Sequence, residues 1–409
     1  MLTKGALLFR FALPPSQDLD IEDLRIALFD YLLSRQKKEK LTILIKNANE
    51  NAEDKIQENL ELLSLFGTRW DEIVYQSHNL KFYQQLASKL LIDKNAFCCF
   101  CTQEDKKSCQ CEYLSDEEVL NREDSFCIKT KKPKFKINLH DEIKGNLEFD
   151  ESEIENFMLL QQNKLASNNF ATAVDDMLLD TSMVICEEKE LLNSFIQKCI
   201  HKYLAYDKQI KYAHLASIAN EQNKISIKSL LDDGYLPSAI SNYLILLGNK
   251  TPKEIFGLDE AVEWFDIKDI SKTAPKFDLK KLNQINKEHI KMLDSLKLSS
   301  LIGYSSSDIG ELAKIYLKEA DTINQIKTKI DTIFSKKDSD EFGRLKELAK
   351  SAPYFEEFDD FKRYLIQKSG LEEKRVLKEL GFLITGSTKT QNLNEIYPHI
   401  KNYLGEILK

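Results

Sequence analysis

The chain has 409 residues, 42% of them apolar and 30% charged with both signs mixed. That length predicts two to three domains, and the composition excludes a disordered or collagen-like chain. Acids outnumber bases 66 to 58 for a net charge of −8, so no chain-wide basic field attracts nucleic acid and any such contact must rest on a local patch.

No apolar run is long enough to cross a bilayer; Tyr243 to Leu247 is among the longest. Ala6 to Leu13 reads as a buried strand that runs into Pro14-Pro15, and Arg10 spoils it as a signal-peptide core. A cytoplasmic chain with no membrane or DNA partner is expected. Ile21 to Arg35 reads as a helix, with Leu24, Ala27, Leu28, Tyr31 and Leu32 at helical spacing. Asp18, Asp20, Glu22 and Asp23 crowd its start, which suits the positive end of a helix dipole. Leu41 to Ile45 is a second strand, and Asp54 to Phe66 a second helix stopped by Gly67. Strand, helix, strand, helix opens a parallel doubly wound sheet.

A cysteine cluster then interrupts the pattern. Five of the eight cysteines, Cys98, Cys99, Cys101, Cys109 and Cys111, lie close together. In a reducing compartment such crowding reads as metal binding before disulfides. A mixed, charged stretch follows to about residue 150 and carries Lys131, Lys132, Lys134 and Lys136. Phe170 to Val174 is expected to resume a strand, and Leu191 to Leu204 an amphipathic helix. From about residue 228 the chain reads as helical, with turns at Gly234 and Pro237 and a boundary near Pro275. Residues 290–409 hold only Pro353 and Pro398. Their Leu312, Ile315, Tyr316 and Ile323, Ile326, Ile330, Ile333 recur at helical spacing, which predicts an all-α bundle.

Several motifs, in collinear order, resemble one family. Arg10-Phe11-Ala12 leads through Pro15 and Leu19 to Arg25, Ala27-Leu28-Phe29 and Tyr31-Leu32. Trp70-Asp71-Glu72, Tyr75-Gln76-Ser77 and Tyr83 follow, then Asn169-Phe170-Ala171 with Val174-Asp175-Asp176. Tyr212-Ala213-His214-Leu215, Gly234-Tyr235-Leu236-Pro237, Asn242-Tyr243-Leu244 and Phe277-Asp278-Leu279 complete the series, and Thr385-Gly386 lies near its end. The chain resembles bacterial glutamyl-tRNA synthetases, class I aminoacyl-tRNA synthetases with a Rossmann catalytic core. The resemblance implies an α/β Rossmann-like core with a mixed α+β insertion, followed by an all-α C-terminal bundle. It implies residues 1–95 as the first half of the catalytic-like domain and 96–165 as an acceptor-binding insertion with the cysteine cluster. The second half of the core would span 166–220, a stem-contact region 221–295 and an anticodon-binding-like domain 296–409.

Amino-acid activation builds charge on ATP phosphates, which the catalyst must neutralise. The family uses a His-x-Gly-[His/Asn] turn at a helix N-terminus and a mobile lysine loop. Here the turn reads Asp20-Ile21-Glu22-Asp23. Three carboxylates are expected where a triphosphate should lie, each like-charge contact at about 4 Å costing on the order of 4 kcal/mol. The plainer reading is that these acids cap the helix. Counted back from Ile225-Ser226-Ile227, expected as a strand, the lysine motif falls on Ser217-Ile218-Ala219-Asn220-Glu221, which contains no lysine; Lys224 is the nearest cation.

Arg10 stands where the family binds substrate, with a structural ion pair to a new acid such as Asp20 as the alternative. The family's acidic strand end reads Leu44-Ile45-Lys46-Asn47-Ala48-Asn49, its substrate tyrosine is Asn168, and its Arg-Gly-Glu-Asp becomes Cys186-Glu187-Glu188-Lys189. Cys99-Phe100-Cys101 resembles the family's zinc-binding Cys-x-Cys. With Cys109 and Cys111 it would close a structural zinc shell, Tyr113 being an alternative ligand. Lys131, Lys132, Lys134, Lys136, Lys280, Lys281, Lys287, Lys291, Lys327, Lys329, Lys336 and Lys337 are candidate phosphate contacts for tRNA.

The resulting expectation is a degenerate paralogue, a tRNA-binding pseudoenzyme without activation. Two alternatives stay open. One is a divergent active glutamate–tRNA ligase using ATP and Mg. The other is a protein-interaction module regulating a synthetase or amidotransferase in glutamyl-tRNA metabolism.

Overall fold

The computed structural model describes residues 8–47, 52–101, 109–219, 225–337, 342–387 and 393–409. The chain divides into two compact units, 1–227 with 244–277, and 228–243 with 278–409. Among the described residues no helix is long and apolar enough to cross a membrane.

The first unit opens with β1 (Leu8–Leu13), α1 (Ile21–Lys37), β2 (Lys40–Ile45), α2 (Glu53–Leu65), β3 (Glu72–Tyr75) and α3 (Leu80–Ile92). β4 (Ala96–Cys99), α4 (Asp116–Leu120), β5 (Cys127–Thr130), β6 (Ile137–Asp141), β7 (Gly145–Phe149) and β8 (Met158–Leu160) follow. α5 (Asn168–Leu178), β9 (Met183–Glu187), α6 (Leu191–Tyr203) and β10 (Lys211–Leu215) complete the αβ series. The main sheet has the order β3-β2-β1-β9-β10-β6-β7. All neighbours are parallel except β6 and β7. β2 is buried along its length after Lys40, which is why its sequence is a nearly unbroken apolar run rather than an alternation. β4, β5 and β8 form a separate three-stranded antiparallel sheet. β6 and β7 lie inside the stretch read as an insertion, yet they extend the main sheet.

Two expected strands are not strands. Phe170 to Val174 lies in α5, because Ser167 caps that helix through the Phe170 N–H and the apolar residues Phe170, Ala173 and Val174 share one helical face. The strand comes later, as β9. Ser226 makes only an isolated bridge, to Asp20, and α7 (Ile227–Asp232) starts beside it. Next come α8 (Pro237–Leu246) and α9 (Leu258–Trp264).

The second unit is helical, as the proline-poor pattern predicts. It contains α10 (Leu279–Lys291), α11 (Ser295–Leu301), α12 (Ser307–Ile315), α13 (Ile323–Phe334) and α14 (Gly343–Lys350). α15 (Phe358–Ser369), α16 (Glu373–Thr385), α17 (Leu393–Ile400) and α18 (Leu404–Ile407) follow. Ile326, Ile330 and Ile333 of α13 are fully buried. Gly310 lets α12 approach α11 so closely that a Cβ there would lie 1.8 Å from the Ser295 carbonyl oxygen.

Candidate active site and metal centre

The strand order reverses between β1 and β9, and open α/β sheets bind ligands outside the carboxyl ends of strands at such a switch point. A cavity of about 370 Å³ lies there. β1 supplies Arg10 and Phe11, β9 supplies Cys186 and Glu187, and Lys46 follows β2. Asp23, from the first turn of α1, also lines it.

The start of α1 is a closed capping box. Asp20 Oδ1 accepts from the N–H groups of Glu22 (2.9 Å) and Asp23 (3.0 Å), and Asp23 Oδ2 accepts from the Asp20 N–H (3.1 Å). Leu24 N donates to Asp20 O (3.0 Å), and Ile21 N donates to Ile225 O (3.2 Å). The four N–H groups that a helix leaves open at its N-terminus are therefore all taken. Glu22, in the first turn, accepts from the Ile218 N–H at 2.6 Å. Burial, then nearby Glu187, pushes Glu22 up to about 7. Near neutral pH it is only partly ionised, so the expected field of three full negative charges is weaker than the sequence suggests. Ala48, Asn49, Asn220, Glu221 and Lys224 lie outside the described residues.

Arg10 pairs with Asp176, not with Asp20. Its Nε and Nη2 donate to the two carboxylate oxygens at 2.7 and 2.8 Å, and both side chains are buried. Burial opposes the guanidinium charge, but Asp176 outweighs it and holds Arg10 ionised. Asp175 is a second hub, accepting from Gln76 Nε2 (2.9 Å), Asn79 Nδ2 (2.8 Å) and Tyr83 Oη (2.8 Å). Burial pushes Asp175 up to about 6 despite these donors. The quoted Tyr75-Gln76-Ser77, Tyr83 and Val174-Asp175-Asp176 motifs are thus bonded to one another.

Sequence reasoning missed a third network. Asp141 Oδ2 accepts from His214 Nδ1 at 2.6 Å, and His214 Nε2 meets Ser194 Oγ at 2.9 Å. The Ile143 and Lys144 N–H groups hold the other Asp141 oxygen. Burial would raise the Asp141 pKa, but His214 and these amides keep it below the ordinary range. An ionised Asp141 places the imidazole proton on Nδ1, so the Ser194 hydroxyl donates to Nε2. The network clamps β6, β10 and α6 together. His214 stood in a quoted motif, but nothing in the local pattern singled out Asp141 or Ser194.

Cys99, Cys101, Cys109 and Cys111 converge, their sulfurs all within 4.8 Å of one another. Cys99 and Cys109 sulfurs are 3.6 Å apart, as are those of Cys101 and Cys111. A zinc tetrahedron with 2.3 Å arms has edges of about 3.8 Å, so the donor set fits a closed structural zinc site with no open position for catalysis. Burial pushes the Cys101 and Cys109 thiols up, which a divalent cation at their centre would reverse. Tyr113 is 78% exposed, and the four thiols supply a tetrahedral donor set without it.

Residues 6–284 match the family "tRNA synthetases class I (E and Q), catalytic domain". A glutamate–tRNA ligase 2 of Sulfurimonas denitrificans is 44% identical over 98% of this chain and 100% of its own length. The chain belongs to the glutamate–tRNA ligase family. A glutamate–tRNA ligase 1 of Nitratiruptor sp. is 42% identical with the same coverage. The first of these alignments spans 432 positions against 409 residues, so that relative carries stretches this chain lacks. In fold, the chain is similar to a crystal structure of a glutamate tRNA ligase from Elizabethkingia meningosepticum in complex with its amino acid. The TM-score is 0.83 at 18% identity, covering 99% of this chain and 98% of that one.

Within this glutamate–tRNA ligase family member, many of the candidate phosphate-contacting lysines carry an acidic partner. Lys132 pairs with Glu155, Lys136 with Glu148, Lys287 with Asp321 and Lys291 with Glu288. Lys327 pairs with Asp331 and Lys329 with Glu319. Exposed pairs of this kind are worth about 0–1 kcal/mol, so a phosphate can displace them. Lys337 is a correction: it is buried, donates to the Ile333 carbonyl, and burial lowers its pKa to about 8.

Two predictions follow from this geometry. Metal analysis of the purified chain should find about one zinc per molecule, and a chelator or Cys111→Ser should lower the melting temperature; a metal-free chain with an unchanged melt would contradict the fit. For Glu22, the folded pKa of about 7 lies above the ordinary 4.5, so the folded state binds more protons between those values. Stability should fall as pH rises through that window. Glu22→Gln should raise the melting temperature more at pH 8 than at pH 5, and an equal effect at both pH values would count against the assignment.

Proposed function

We propose that this chain is a tRNA-binding member of the glutamate–tRNA ligase family in which amino-acid activation is silenced. The carrying observation is the start of α1, where each of the first four N–H groups already has an acceptor within the chain. A helix N-terminus binds phosphate through such groups when they are free. Glu22 adds a side chain and a partial negative charge over the same terminus, clasped to the Ile218 N–H. The motif positions following Ala219 contain no lysine before Lys224. A cytoplasmic setting belongs to this reading, because reduced thiols are needed to hold zinc.

A working glutamate–tRNA ligase, using ATP and Mg, is the second reading. Relatives 40–44% identical over essentially their whole length carry that name, and by similarity alone it ranks first. It requires the capping box to open and the contacts of Ile218 and Ile225 with the start of α1 to break before ATP can enter.

Glutamate-dependent ATP–pyrophosphate exchange, measured with and without tRNA, separates the two. The silenced reading expects no exchange above a blank lacking protein, together with a gel shift of tRNA. Exchange in either condition would establish the ligase reading. No exchange and no shift would favour the protein-interaction module.

A further inference from the structure

Four thiolates around one divalent zinc carry a net charge of about −2. Cys99 and Cys111 are buried, so part of that charge is withdrawn from water and needs compensation. Backbone amides supply some of it. Phe100 N donates to Cys111 Sγ at 3.4 Å, and the Cys101 and Cys111 amides meet the Cys99 and Cys109 sulfurs.

A cation stands on the same face of the small sheet. Across β4 and β5, Cys99 faces Cys127 and Phe97 faces Lys129. Side chains alternate along a strand, so Lys129 and Cys127 share a face with Cys99, and Lys129 is the diagonal neighbour of Cys99. The thiols its ammonium acts on are Cys99, Cys127 and Cys109. Among the described residues no carboxylate lies within ion-pair distance of it. Other cations of this region are turned to aromatic rings: Lys164 Nζ lies 3.6 Å from the Phe126 ring centroid, and the Arg122 guanidinium 4.9 Å from that of Phe100. An ammonium repels a bare zinc ion, but it is attracted to a centre whose thiolates outweigh the metal.

We propose that Lys129 is the outer counter-cation of the four-thiol centre, offsetting part of its negative charge through Cys99 and slowing the loss of zinc. Lys129 is a positioning residue, since a sulfur stands between it and the metal. The proposal rests on the fit of the thiols to zinc and is independent of whether activation survives.

Release of zinc from the loaded full chain to an excess of a chromophoric chelator tests it. Lys129→Met should release zinc at least about tenfold faster than the wild type, the scale on which outer partners act on a metal. Lys129→Arg, which keeps the charge, should stay close to the wild-type rate. The zinc-free wild type and zinc-free Lys129→Met should melt alike, which separates an effect on the metal from one on the fold. Equal release by the wild type and Lys129→Met would overturn the proposal. So would Lys129→Arg releasing as fast as Lys129→Met, or a lowered melt of zinc-free Lys129→Met. A wild-type chain that retains no zinc would overturn it together with the zinc fit.

Discussion

A helix N-terminus offers its open N–H groups to one anion, and in this chain that anion is built in. Asp20 occupies the first turn of α1 from the chain itself, and Ile225 takes the remaining donor. Ser226 bridges Asp20, and Ile218 is clasped by Glu22. The start of α1 is thus a structural joint.

Around this joint the polar scaffold is built from buried pairs that folding itself requires. Arg10 with Asp176, Asp175 with Gln76 and Tyr83, and Asp141 with His214 and Ser194 are all buried. Removing one partner of a buried ion pair typically costs about 3–5 kcal/mol, because the other is left uncompensated. Such residues are held in place by folding alone. The motifs that identify the family can therefore persist beside a terminus whose phosphate donors are occupied. The four thiols fit the same pattern: a structural centre contributes to folding whatever the chemistry elsewhere.

Much of this was legible in the chain's own pattern. Apolar runs bounded by turn residues marked β1 and β2, helical spacing marked α1 and α13, and Cys-x-Cys pairs marked the thiol cluster. The cap at Asp20 was visible as an acid-rich start to a helix. The errors have physical causes. Phe170 to Val174 is short and mostly apolar, and such a run is ambiguous between buried strand and buried helix; the Ser167 cap decides it. Asp176 was visible only as part of a motif, because its partner Arg10 is 166 positions away in the chain. Asp141 reaches His214 across 73 positions. Lys337 read as one more surface lysine, since burial of a single long side chain leaves no local trace.

Binding of magnesium–ATP, followed by calorimetry on the full chain with and without tRNA, tests the occupied helix terminus most directly. The account predicts no saturable heat at millimolar nucleotide in either condition. Saturable binding by the wild-type chain in either condition would show that the terminus still admits phosphate, and would contradict it.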